Sequence, residues 1–99
     1  MGYPETGFIR IAAFRKRPPM TSTLHDPGYR AFVAHLVDLR RAAGVTQADL
    51  AMRMGKPQSF VSKSERFERR VDPEEFRQFV VALGRDPVRE FEVVSRKLA

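Results

Sequence analysis

Ninety-nine residues with a formal charge of +6 and 42% hydrophobic side chains can bury one modest core, so a single domain is expected. There is no cysteine, which excludes disulfide scaffolds, Cys-ligated zinc and thiol nucleophiles. The longest apolar windows, such as "QFVVALG", fall far short of the roughly 20 residues of a spanning helix, and "FIRIAAF" is followed, not preceded, by the basic "RKR", the wrong order for a secretory signal; a soluble, cytoplasmic protein without membrane association is expected.

Charge is unevenly spread, with +3 over residues 1–23, zero over 24–52, +4 over 53–70 and −1 over 71–99. Two such basic zones attract polyanions. In chain order, residues 1–25 contain Gly2, Pro4, Gly7, "RPP" and "TSTLH", and are expected to form a flexible basic arm and linker bearing Arg10, Arg15, Lys16 and Arg17. Within it "FIRIAAF" is read as disordered, the alternative being a short strand or helix formed on docking. Met20 is an alternative start.

Residues 26–99 are expected to form an all-α domain. Asp26-Pro27, Asp72-Pro73 and Asp86-Pro87 each join a capping side chain to a proline that tolerates the first helical position. Glu75, three residues after Asp72, adds a capping box, and Thr46 with Asp49 marks another start. Gly44, Gly55 and Gly84 follow apolar-periodic runs and suit the left-handed position past a helix end. The pattern predicts helices over about 27–43, 46–54, 57–66, 73–83 and 87–97. Their apolar stripes are Phe32, Leu36, Leu39 and Ala43; Leu50, Ala51 and Met54; Phe76, Phe79, Val80 and Leu83; and Val88, Phe91, Val94 and Leu98.

The second and third predicted helices are joined so tightly at Gly55 that they must cross steeply, as in a helix-turn-helix. The helices approach at Ala51, turn at Gly55 and lock at Val61, leaving the opposite side of the third helix open. At these residues the chain resembles the phage-repressor and Cro-like, XRE-type helix-turn-helix family, and more narrowly small bacterial regulators with a "GxPQSFVSK" recognition helix. The likeness runs from about Tyr29 to Pro87 and rests on "LRRAAGVTQADLA", "GKPQSFVSK", "ERRVD" and "LGRDP" together.

The resemblance implies a five-helix domain whose third helix enters the DNA major groove. It also implies an ion pair between Arg40 and Glu65, and an amide couple of Gln47 with Gln58. Gln58 is a candidate adenine reader; Ser59, Ser62 and Lys63 share its face, Lys63 being suited to guanine. Thr46, Gln47, Lys56, Arg66, Arg69 and Arg70 are candidates for the DNA backbone, which positions a protein without reading sequence. Phe60 is expected to pack on the second helix, with a thymine methyl as the alternative.

Two residues depart from the family pattern. Ser64 stands where a large apolar residue is usual, and Phe67 where a helix-ending glycine is usual. Phe60, Ser64 and Phe67 lie at helical spacing, so Phe67 could extend the helix and refill the volume vacated at position 64.

His25 and His35 are ten residues apart, with no HExxH, GxSxG, P-loop or dinucleotide fingerprint nearby, so no catalysis, metal or cofactor is expected. His35 is read as a partly buried packing residue. The expected function is a transcriptional regulator that occupies an operator on double-stranded DNA, as a homodimer because one helix-turn-helix reads only a few base pairs. The alternative is an antitoxin-like module that neutralises a partner protein.

Overall fold

A computed structural model describes residues 25–98. The expected arm, residues 1–25, falls outside them except for His25. The described chain has five helices and no strand: α1 (Pro27–Ala42), α2 (Gln47–Met54), α3 (Gln58–Glu65), α4 (Pro73–Ala82) and α5 (Pro87–Leu98). None is long and apolar enough to cross a membrane.

Each boundary has a local cause. The Asp26 carboxylate accepts from the Tyr29 amide ahead of α1, and the Thr46 hydroxyl accepts from the Asp49 amide at 3.0 Å ahead of α2. At α4 the capping box closes both ways, Asp72 accepting from the Glu75 amide at 2.7 Å and Glu75 from the Asp72 amide at 3.0 Å. Gly55 ends α2 in the left-handed region, φ 68°, so the chain reverses and starts α3 after only Lys56 and Pro57.

The core gathers Leu36 and Leu39 of α1, Leu50 and Ala51 of α2, Val61 of α3, and Phe76, Phe79 and Val80 of α4, closed by Val45, Val71 and Leu83. The first three predicted stripes therefore turn inward, except that Ala43 is exposed at the end of α1 and Phe32 and Met54 are only partly buried. The fourth stripe is different. Val94 is fully buried, but Val88, Phe91 and Leu98 are 79%, 55% and 47% exposed. The Phe91 ring meets Phe76 edge-on, ring centroids 6.1 Å apart.

Besides Val94, helix α5 docks through a polar contact that periodicity does not reveal. Glu90 and His35 are both buried, and Nε2 of the imidazole lies 2.8 Å from Glu90 Oε1. Lys97 Nζ is 3.0 Å from Nδ1 of the same ring. With Lys97 as an ammonium donor, Nδ1 is the acceptor and Nε2–H faces the carboxylate. His35 is thus more buried and more fully bonded than a packing residue would be. Among the described residues no buried side-chain nitrogen or oxygen lacks a hydrogen-bond partner.

Candidate nucleic-acid interface

The two faces of α3 differ sharply. Val61 and Ser64 point inward and are 0% and 1% exposed. Gln58, Ser59 and Lys63 lie on the exposed face, with Ser62 half-buried at its edge. The Ser62 hydroxyl donates to the Ser59 carbonyl at 3.4 Å. All four predicted base-reading side chains therefore lie together on one outward strip. Thr46, at the start of α2, and Lys56, in the turn, are exposed alongside it.

Helix α3 packs on α2 and α1. Arg40 grips its last residue: Nε donates to Glu65 Oε2 at 2.6 Å and Nη2 to Oε1 at 3.0 Å, while Nη1 donates to the Val45 carbonyl at 2.9 Å. The two side chains are only 11% and 9% exposed, so this is a nearly buried, bidentate pair. The Gln47 amide joins it, donating to Glu65 Oε1 at 2.8 Å. Gln47 is therefore bonded to Glu65 rather than to Gln58, which corrects the expected amide couple. Glu65 is a stronger acceptor than a neutral amide, and Arg40 already holds it within reach of α2.

The far side of α3 answers what becomes of the space at Ser64. Its hydroxyl donates to the Phe60 carbonyl at 2.7 Å and accepts from Arg69 Nη1 at 3.3 Å. The same guanidinium binds Glu75 bidentately, at 3.0 and 2.8 Å, and lies 4.2 Å over the Phe60 ring. The hydrogen bond between them raises the Arg69 pKa and holds Glu75 below the usual carboxylate range. A small polar residue at position 64 makes room for an arginine, not for Phe67. Arg69, expected on the DNA backbone, is occupied inside the domain. Phe60 is partly buried against the core that holds Leu50 and Ala51 of α2, and its ring stacks on Phe79 of α4, centroids 5.9 Å apart.

Phe67 does not lengthen the helix. It takes φ 62°, the conformation a glycine would supply, with its amide donating to the Ser64 carbonyl at 3.3 Å and the Glu68 amide to the Lys63 carbonyl at 2.8 Å. These two bonds form a Schellman stop with phenylalanine in the glycine's place. The strained position is flanked by Arg30, whose guanidinium lies 4.6 Å from the ring centroid. Beyond it Arg66 pairs with Glu68 at 3.0 Å in an exposed bridge, and Arg70 lies 5.1 Å over the Tyr29 ring. Tyr29, unremarked in the sequence, receives the Val71 amide on its hydroxyl at 2.8 Å and thereby fixes the segment after α3 to α1.

Residues 31–91 match a helix-turn-helix domain family. The fold is similar to a solved XRE-family like protein from Pseudomonas syringae pv. tomato str. DC3000, at 43% sequence identity and a TM-score of 0.72, over 80% of this chain and 96% of that one. The chain belongs to the XRE-type helix-turn-helix family. No curated protein matches it. As an XRE-type protein it is a DNA-binding regulator in general terms, in a family that is typically not enzymatic. Within this XRE-type domain α2 and α3 form the helix-turn-helix, and Arg40 with Glu65 is the brace between its second helix and the rest of the fold.

Proposed function

We propose that this XRE-type protein recognises a specific operator by laying α3 in the major groove, with Gln58, Ser59, Ser62 and Lys63 facing base edges. Thr46, Gln47, Lys56, Arg66 and Arg70 then meet phosphates on either side. The observation that carries this reading is the division of α3: its inner face is closed by core and ion pairs, while its outer face offers an amide, hydroxyls and an ammonium within two helical turns. These groups match the donor and acceptor pattern of the major groove. The +4 charge over residues 53–70 supplies the attraction to phosphate.

A single α3 covers too few base pairs for useful affinity, so two copies are expected on half-sites about one DNA turn apart. Selection of bound fragments from random duplex DNA by the full chain tests this. Enrichment of a two-fold symmetric sequence is the expected outcome. Recovery of unselected sequence would defeat the proposal, and return the toxin-neutralising alternative to consideration.

A further inference from the structure

We infer that Arg69 is a positioning residue for DNA recognition: its bridge from Ser64 to Glu75 sets how α3 is presented, and so which base edges Gln58 and Lys63 reach. The inference deepens the proposed function and rests on it.

The backbones of α3 and α4 do not pack closely, whereas α3 lies directly on α2 and α1. The link from α3 to α4 is made by side chains. Val61 shares the core with Phe76 and Phe79, Phe60 stacks on Phe79, and the Arg69 guanidinium supplies the polar contact. This guanidinium touches three elements of the link at once. It donates to the Ser64 hydroxyl on α3, covers the Phe60 ring one turn earlier, and forks onto the Glu75 carboxylate in the first turn of α4.

Both anchors are themselves fixed. Ser64 is buried and bonded back to the Phe60 carbonyl, so its hydroxyl cannot swing away. Glu75 is held by the Asp72 amide in the capping box. A planar fork between two fixed points tolerates little rotation. Turning α3 about its axis would strain the Ser64 contact together with the Arg40–Glu65 pair and the packing of Val61. Such a turn would carry Gln58 and Lys63 off their bases, because both lie on the opposite side of the same short helix. Reading a base needs its partner held to within about half an ångström.

Glu75 makes the inference testable by sign. As a nearby negative charge it should weaken DNA binding, and Glu75→Gln should then tighten binding to every sequence. As the anchor of a positioning bridge, its loss should instead weaken binding to the operator alone. Full chains carrying Glu75→Gln, Arg69→Gln and, as a phosphate-contact benchmark, Arg66→Gln are compared with the parent on the selected operator and on random duplex, over a range of salt.

Glu75→Gln and Arg69→Gln should each lower the operator-to-random affinity ratio by about tenfold, roughly one base contact. Neither should change the slope of log affinity against log salt, while Arg66→Gln reduces it by about 0.9. A slope reduced by about 0.9 in Arg69→Gln with the ratio intact overturns the inference, as does tighter operator binding by Glu75→Gln. A parent chain that selects no DNA would defeat the proposed function instead. The bridge is then still judged without DNA: Glu75→Gln should move the backbone amide resonances of residues 58–65 while leaving those of α1 in place, and unmoved α3 resonances overturn it.

Discussion

Two arginine–glutamate pairs hold the carboxyl half of α3, and they are built differently. Arg40–Glu65 reaches toward α1, is nearly excluded from water, and has Gln47 and the Val45 carbonyl to complete its hydrogen bonds. Arg69–Glu75 reaches toward α4, and its side chains remain 30% and 17% exposed. The first is an interior element that cannot lose one partner without stranding the other. The second is a partly wet strut whose energy is screened but whose geometry is still exacting. Stability and orientation of one helix are thus assigned to different pairs.

The largest way to break this contrast is Arg40→Ala. Glu65 would be left with Gln47 alone in a site nearly closed to water, and urea unfolding should register a loss of ~3–5 kcal/mol. A loss below ~1 kcal/mol would mean that water reaches Glu65 freely. Arg69→Ala should be milder, ~1–2 kcal/mol after allowing for its exposure, since Glu75 keeps the Asp72 amide and gains solvent. Added salt sharpens the difference. Unfolding measured in low salt and at ~1 M should shrink the Arg69→Ala deficit and leave that of Arg40→Ala nearly unchanged.

Acid offers a third comparison. Arg69 holds Glu75 below the ordinary carboxylate range, and the unfolded chain titrates near ~4.3. A depressed folded value means that the contribution is complete above the unfolded value and is lost as pH falls through the folded one. The parent chain should therefore lose stability on acidification below about pH 4.3, and Glu75→Gln should flatten that fall. Equal acid limbs in the two chains would remove Glu75 from the account.

The smallest effect is expected at the helix stops. Gly55→Ala places a Cβ in open space but at φ 68°, so only backbone strain is added, about 1 kcal/mol. Phe67→Gly relieves the same strain while giving up the contact with Arg30, and thermal unfolding should change by less than about 1 kcal/mol in either direction. A loss above ~2 kcal/mol would show that the ring, not the turn, holds this end of α3.

The starts of α1, α2, α4 and α5 and the ends of α1, α2 and α4 were legible because their signals are local: Asp before Pro, Thr before an acidic turn, Gly after an apolar run. So was the core stripe of α4 and its C-cap, in which Phe76, Phe79, Val80 and Leu83 are all buried. The outward strip of α3 was legible because Ala51, Gly55 and Val61 fix the helix pair, and with it the side left over.

What escaped was pairing between distant polar residues. Glu90 reads as a solvated acid in a charged helix, although it precedes Val94 by one turn; His35 likewise lies between core positions Leu36 and Phe32. Two polar residues on inward faces of separate helices were the available signal, because each needs a partner when buried. Arg69 was misjudged for a related reason. Taken with its basic neighbours it suggests phosphate, and only the small residue five positions earlier hints that a guanidinium comes back to fill that space.

The bond from Lys97 to the imidazole on α1 makes His35 a built-in reporter. An imidazole bonded at both nitrogens, as His35 is to Glu90 and Lys97, has ring resonances that depend on both contacts. The only other histidine is His25, exposed just ahead of α1, so the two signals are easily told apart. Following the His35 signal would show when α5 lifts from α1, without attaching any label to the domain.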